Sequence, residues 1–76
     1  MPNTTELDLS GLKCPLPVIK ARKALARLGT GDELSLITTD PMAAIDIPHM
    51  CREDGHLLLA KEHMDDRRMR FRLQKG

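Results

Sequence analysis

Residues 11–29 read GLKCPLPVIKARKALARLG, and within this stretch the spacing of the apolar residues changes. Before it, Leu7 and Leu9 alternate with polar residues, which indicates a short strand with one solvated face. After Cys14, apolar residues recur at helical spacing; they are Val18, Ala21, Leu25 and Leu28. The stretch therefore predicts a strand followed by an amphipathic helix of about three to four turns, with Gly29 as its C-terminal cap.

The remaining sequence predicts one more helix and three more strands. The strands are expected at residues 33–39, 56–64 and 67–75. Asp40 and Pro41 are typical of a helix cap followed by the first helical position, so the second helix should begin there. Pro48 should kink or restart this helix, because proline lacks the backbone N–H that a helix interior needs. The helix should end near Asp54-Gly55.

The order β-α-β-α-β-β predicts an α+β fold, a two-layer sandwich with two helices on one face of a mixed four-stranded sheet. In the last strand Met69, Phe71 and Leu73 alternate with arginines and a glutamine, which indicates one buried and one solvated face. The last two strands should form an antiparallel hairpin. We expect the arginine-rich strand at an edge of the sheet, where charges oppose aggregation. The length suits a single domain over residues 1–76.

The composition argues against several classes of function. The 12 basic and 11 acidic residues almost cancel, which disfavours both disorder and general polyanion binding. Phe71 is the only aromatic residue, so the stacking platforms of single-strand nucleic-acid binders are missing. No apolar run approaches the roughly 20 residues that span a bilayer, and the start does not resemble a signal peptide. We therefore expect no membrane association and a cytoplasmic location, where thiols stay reduced.

Cys14 lies where the first helix is expected to begin. Pro15 and Pro17 mark that beginning, because proline suits the first turn, where a backbone N–H would be unpaired anyway. The unpaired amides and the helix dipole favour negative charge there, and Lys13 is adjacent. Cysteines in such places have lowered pKa values, so the pattern predicts an exposed, activated thiol. The alternative is that Cys14 packs as a small apolar residue between loop and helix.

Residues 11–17, GLKCPLP, resemble the Cys-Pro-x-Pro signature of the TusA family of sulfur-carrier proteins, also called the SirA-like family. The resemblance continues downstream, where Asp40-Pro41 follows the second strand and Asp46-Ile47-Pro48 lies in the second helix. It covers essentially the whole chain, and the order of the elements agrees. It therefore implies a single TusA-like domain with the two-layer fold predicted from the apolar pattern.

The resemblance also implies a function, that of a sulfurtransferase acting as a protein persulfide carrier. Cys14 would accept sulfane sulfur and pass it to a partner protein, with Lys13, Pro15 and Pro17 positioning the thiol. The implied donor is a cysteine desulfurase or a rhodanese, and the implied acceptor is a DsrE-like or other relay protein. The sulfur could serve tRNA thiolation, molybdenum-cofactor synthesis or sulfur oxidation. No metal or organic cofactor is expected, and a monomer would suit a carrier.

Two further features could bear on partner binding. Lys20, Lys23 and Arg27 lie on one face of the first helix, where they could dock acidic partners or simply be a solvated surface. Asp40 is expected to cap the second helix, and the resemblance adds a weaker role in partner contact or in shaping the cysteine loop. These four residues are the weaker candidates for the site.

Two alternatives to sulfur transfer remain open at this point. The chain could be a non-catalytic regulatory or RNA-binding module of the same fold, with Cys14 structural. It could also have a redox role that needs a reversible disulfide between Cys14 and Cys51, although Cys51 is more simply a buried packing residue. His49, Cys51 and His56 do not follow a closed zinc pattern, so no metal site is expected.

Overall fold

The helices and strands follow the predicted order β-α-β-α-β-β. The computed structural model describes residues 4–76. The strands are β1 Thr4–Leu9, β2 Glu33–Thr38, β3 Leu57–His63 and β4 Met69–Gln74. The helices are α1 Leu16–Ala26 and α2 Ala43–Asp54. Neither helix of this described part is long and apolar enough to cross a membrane.

The four strands form one mixed sheet in the order β1-β2-β4-β3. β1 pairs with β2 in parallel, and β4 pairs antiparallel with both β2 and β3. The predicted hairpin of the last two strands is thus confirmed, as is the predicted fold class. The arginine-rich strand β4 is an inner strand, however, so its prediction as an edge strand was wrong. The edges are β1 and β3.

The core fills the space between the sheet and the two helices. Along β4 the burial alternates as predicted, with Phe71 and Leu73 fully buried and Arg72 exposed. Arg72 instead pairs with Glu33 of β2 on the solvated face, at 2.8 Å. The buried apolar side chains are Leu9, Ala21, Leu25, Leu34, Leu36, Ala43, Ile47, Met50, Cys51, Phe71 and Leu73. Aliphatic residues dominate this set, and Phe71 is its largest member.

The two helices end in different ways. Gly55 caps α2 with a left-handed backbone (φ 78°), so the predicted end of that helix is confirmed. Gly29 does not cap α1, because the helix closes earlier with a tight turn. The N–H groups of Arg27 and Leu28 donate to carbonyls three residues back, each at 3.1 Å. Arg27 keeps a right-handed helical backbone, so no left-handed residue is needed.

The beginning and middle of α2 also depart from expectation. The helix begins at Ala43 rather than at Pro41, and the Asp40 side chain accepts a hydrogen bond from the Met42 N–H (3.0 Å) in the preceding turn. α2 runs continuously through Pro48 to its end at Asp54, without a restart. The prediction that Asp40 caps α2 was therefore wrong, because Met42 holds the cap position and Asp40 organises the turn before the helix.

The turn between β3 and β4 is organised by Asp65. Its carboxylate accepts hydrogen bonds from the backbone N–H groups of Arg67 and Arg68 (3.0 and 2.8 Å) and from the Arg68 Nε (2.8 Å). These three donors lower the pKa of Asp65 to about 2, the backbone N–H of Arg67 having the largest effect. The carboxylate is thus favoured in its charged form by the folded turn.

We predict that Asp65→Asn weakens this turn and changes its response to acid. A carboxyl whose pKa is depressed by folding stabilises the native state above its unfolded pKa, roughly 4, and loses that contribution as pH falls toward the native value. Amide hydrogen exchange at Arg67 and Arg68 should therefore be faster in the variant at neutral pH. The wild-type protein should lose part of this protection between about pH 4 and pH 2, whereas the variant should not. Equal protection in both proteins at pH 7 would contradict the role given to Asp65.

Candidate functional site

Cys14 lies in the loop that joins β1 to α1, two residues before the helix begins. Its side chain is exposed, as predicted, and the peptide bond between Cys14 and Pro15 is cis. The loop is closed by a hydrogen bond from the Leu16 N–H to the Lys13 carbonyl (2.8 Å). Pro17 is buried, so it anchors the first turn of α1 in the core. The sulfur therefore lies at the surface, in a short loop that the buried Pro17 fixes to the start of α1.

A second loop, between β2 and α2, holds the cysteine loop from the other side. The carboxylate of Asp40 accepts a hydrogen bond from the backbone N–H of Cys14. Next to it, the Thr39 hydroxyl accepts one from the Gly11 N–H (2.8 Å). The Cys14 N–H, followed by the Met42 N–H, lowers the pKa of Asp40, so this carboxylate stays charged. Asp40 thus shapes the cysteine loop in the structure.

The side chain of Cys14 has a partner of its own. Its Sγ lies 2.9 Å from Oδ2 of Asp46, in the first turn of α2, so that the thiol donates a hydrogen bond to the carboxylate. The local sequence around Cys14 does not indicate this contact, because the two residues are 32 positions apart. The order of the elements, however, does indicate that the two residues are close. Since β1 and β2 run parallel, the helices that follow them begin at the same edge of the sheet, which brings Asp46 near Cys14.

The surroundings of the sulfur are acidic, which overturns the predicted activation of the thiol. The pKa of Cys14 is raised, first by the hydrogen bond to Asp46. Partial loss of hydration and the negative charges of Asp46 and Asp40 raise it further. A hydrogen bond from the neutral thiol and the nearby negative charges both favour the protonated form. Cys14 is therefore exposed, and its acidic surroundings shift its pKa in the direction opposite to the predicted one.

Two open clefts meet at Cys14. One, of about 290 Å³, lies between the cysteine loop and the β2–α2 loop, and Lys13, Asp40 and Pro41 are among its lining residues. The other, of about 280 Å³, lies between the two helices. It is lined by Cys14, Pro15, Val18, Arg22, Asp46, His49, Met50 and Glu53. The sulfur can therefore be approached from more than one direction by a group on another molecule.

The basic residues predicted for partner binding are not gathered at this site. Lys20, Lys23 and Arg27 line a separate cleft of about 310 Å³ together with Leu7 of β1. None of these three residues lines either cleft at Cys14. Arg22, one position before Lys23, does reach the cleft between the helices. The structure thus brings Lys13, Pro15 and Asp40 together with Cys14, and leaves the basic face of α1 apart.

Cys51 faces the core from α2 and is only 2% exposed. Neither cysteine is in a disulfide, and burial raises the pKa of the Cys51 thiol. The prediction that Cys51 is a buried packing residue is confirmed. Across residues 4–76, no group of three or more His, Cys, Asp or Glu side chains is arranged to hold a metal ion.

Comparison with known proteins places the chain in a family. The family model "Sulfurtransferase TusA" matches residues 5–75, almost the whole chain. The chain belongs to the TusA family. Proteins from Neisseria meningitidis serogroups A and B, described as candidate sulfur carriers, are each 46% identical to it over 63 residues. Each alignment covers 83% of this chain and 85% of the relative.

A solved structure supports the same assignment. The crystal structure of a SirA-like protein from Desulfitobacterium hafniense superimposes with a TM-score of 0.84 at 26% sequence identity. The alignment covers 95% of this chain and 97% of that protein. The resemblance found in the Cys-Pro-x-Pro segment and the predicted α+β fold are therefore confirmed over the length of this TusA-family chain.

Proposed function

We propose that this TusA-family protein is a sulfur carrier, which accepts sulfane sulfur as a persulfide on Cys14 and transfers it to another protein. The observation that supports this most is the exposed Cys14 sulfur at the junction of two open clefts. A carrier needs a sulfur that the reactive cysteine of a second protein can reach. The relatives described as candidate sulfur carriers support the same role.

The transfer is a thiol exchange and needs no external oxidant or reductant. Cys14 Sγ attacks the outer sulfur of a donor persulfide, a new S–S bond forms on Cys14, and the donor's own S–S bond breaks. The Cys14 proton leaves with the exchange, and the departing donor thiolate takes up a proton. The second transfer repeats these steps with an acceptor thiol attacking the outer sulfur on Cys14.

The partners follow from this chemistry as proposals. A cysteine desulfurase or a rhodanese would supply the sulfur, because both carry a protein persulfide. A DsrE-like relay protein would accept it, and tRNA thiolation, molybdenum-cofactor synthesis or sulfur oxidation would be the end use. The reaction as written requires no metal or organic cofactor on this chain. A cytoplasmic location would keep the thiol reduced.

The observed charge pairing gives the RNA-binding alternative less support. Arg72 pairs with Glu33 (2.8 Å) and Arg68 with Asp65 (2.8 Å), so two of the four arginines near β4 are already neutralised. Phosphate contacts by free cations supply most non-specific affinity for nucleic acids. Opposite charges are thus paired both on the solvated face of the sheet and in the turn between β3 and β4.

The proposal is tested by following the mass of the protein during incubation with a cysteine desulfurase, pyridoxal phosphate and cysteine. Loading should add about 32 Da, the mass of one sulfur atom, and peptide mapping should place it on Cys14. Alkylation before digestion preserves the persulfide for mapping. A protein that gains no sulfur from either a desulfurase or a rhodanese would overturn the proposal.

A further inference from the structure

Asp46 is in hydrogen-bond contact with the Cys14 sulfur, and no cationic side chain of residues 4–76 pairs with it. Its Oδ2 lies 2.9 Å from Cys14 Sγ. The basic side chains of the cleft between the helices contact other acidic residues. Arg22 contacts Asp54 (2.9 Å) and Glu53 (3.4 Å), and the His49 imidazole lies 2.9 Å from Glu53.

In the described part of the chain, the other charged residues near Cys14 do not pair with Asp46 either. Lys13 is the neighbour of Cys14 in the chain, and its positive charge acts on Asp40. Asp40 itself is held by the backbone N–H groups of Cys14 and Met42. The thiol therefore lies beside two carboxylates, of which only Asp46 binds the sulfur directly.

We propose that Asp46 is a gating residue, which holds the thiol of the free carrier as a hydrogen-bond donor until a sulfur-exchanging partner places a cationic side chain on this carboxylate. The proposal rests on the proposed sulfur-carrier function and identifies the chemistry of the partner. The partner is a protein with a lysine or arginine beside its reactive cysteine. Before docking, the carboxylate keeps Cys14 protonated and poorly nucleophilic, since a hydrogen bond to the neutral form disfavours ionisation.

The exposed side chains next to this site fit such a partner. Large apolar side chains are exposed on the first turns of both helices and just before α2; they are Leu16, Ile19, Met42 and Ile45. Ile45, adjacent to Asp46, is 64% exposed. An acidic centre flanked by apolar side chains is complementary to a partner surface with a cation set among apolar residues. Burial of the Asp46 charge in that interface would strengthen its pairing with the cation, because a low dielectric strengthens charge pairs.

Sulfur exchange is then coupled to docking. When the partner's cation binds Asp46, Cys14 loses the group that favours its protonated form, and its proton passes to solvent. The thiolate attacks the outer sulfur of the partner's persulfide, and the partner's departing thiolate takes up a proton. Atoms and charge balance over the exchange, which is neutral in oxidation state.

The first test isolates the gate from any partner. We expect Asp46→Asn to move the pH profile of Cys14 alkylation by iodoacetamide to lower pH. The rate at pH 7.5 should rise by about threefold or more, because the variant lacks the negative charge that favours the protonated thiol. Glu62→Gln removes the same charge from an exposed position on β3 and should leave the profile unchanged. Slower alkylation of Asp46→Asn would overturn the proposal, because Asp46 would then act as a base.

The second test measures partner recognition. Cys14 is loaded by a persulfidated cysteine desulfurase, with initial rates taken over a range of carrier concentrations. We expect Asp46→Asn to raise KM by about fivefold or more, because losing one partner of a charge pair buried in an interface weakens binding at least that much. Glu62→Gln should keep the wild-type KM. An unchanged or lower KM in Asp46→Asn would overturn the partner-recognition part, even with faster alkylation.

The two experiments also separate this proposal from the proposed function. If wild-type protein takes no sulfur from any donor, the carrier function fails. The alkylation profiles of Asp46→Asn and Glu62→Gln would still report whether Asp46 restrains the thiol. If wild-type protein loads normally and the Asp46→Asn profile matches it, the carrier function stands and the gate fails.

Discussion

Cys14→Ser is expected to abolish sulfur loading from a cysteine desulfurase. Serine keeps the size and the hydrogen-bonding capacity of the side chain, so it can still donate to Asp46 and preserve the loop. Its hydroxyl, however, is a far weaker nucleophile toward sulfur and forms no persulfide. The mass gain of about 32 Da seen with wild-type protein should fall below roughly one hundredth in the variant. Intact-protein mass spectrometry gives this ratio directly.

Cys51→Ala is the matched control, because it removes the other cysteine. Cys51 is buried in the core and is not expected to meet a partner, so loading should stay at the wild-type level. Removing its sulfur from packed surroundings should cost about 1 kcal/mol of stability, which urea unfolding would show. If Cys51→Ala also lost its loading while remaining folded, the two cysteines would act together and the redox alternative would gain support.

The fold was predictable because its signal is local. The period-two alternation around Phe71 and the helical spacing after Cys14 each reflect burial of one face of one element. The position of β4 inside the sheet was not predictable in this way, since the order of strands depends on pairings between distant segments. The same holds for Gly29, which was expected to cap α1 as Gly55 caps α2, since only the backbone shows which of the two has a left-handed conformation.

The site was predictable only in part, for a related reason. The prolines around Cys14 indicate the helix start, and exposure of the sulfur follows from that placement. The direction in which the pKa moves depends instead on Asp46, a contact across 32 positions that no local pattern reports. A helix start alone would lower the pKa of a thiol. Here the Asp46 carboxylate accepts a hydrogen bond from the thiol at 2.9 Å, and the pKa is raised instead.

The acidic surroundings of Cys14 would limit unwanted reactions of the free carrier. A carrier whose thiol ionised readily would react with any small oxidant or electrophile, because susceptibility follows thiolate character and exposure. Cys14 is exposed, so burial does not protect it, and the raised pKa of its thiol limits the thiolate instead. Coupling ionisation to a partner's cation at Asp46 would confine reactivity to the docked complex, where sulfur can be exchanged productively.

Phe71→Ala is expected to have the largest effect on stability. Phe71 lies on the inner strand β4 opposite Leu36, is 0% exposed, and is the largest side chain of the core. Its removal leaves a cavity that the surrounding strands and helices can close only in part, at a cost of about 3–5 kcal/mol. Small domains are stable by only about 5–15 kcal/mol. Thermal unfolding followed by circular dichroism should therefore show a Tm lowered by roughly 15 °C or more.

Phe71→Leu separates the loss of volume from the loss of the aromatic ring. Leucine fills much of the same space, so the cost should fall to about 1–2 kcal/mol, and loading of Cys14 should persist below the lowered Tm. Leu36, directly opposite on β2, and the neighbouring Leu73 already provide aliphatic surroundings that a leucine can pack against. Equal Tm values for Phe71→Ala and Phe71→Leu would contradict this account, because the penalty would then come from the ring and not from the volume that it fills.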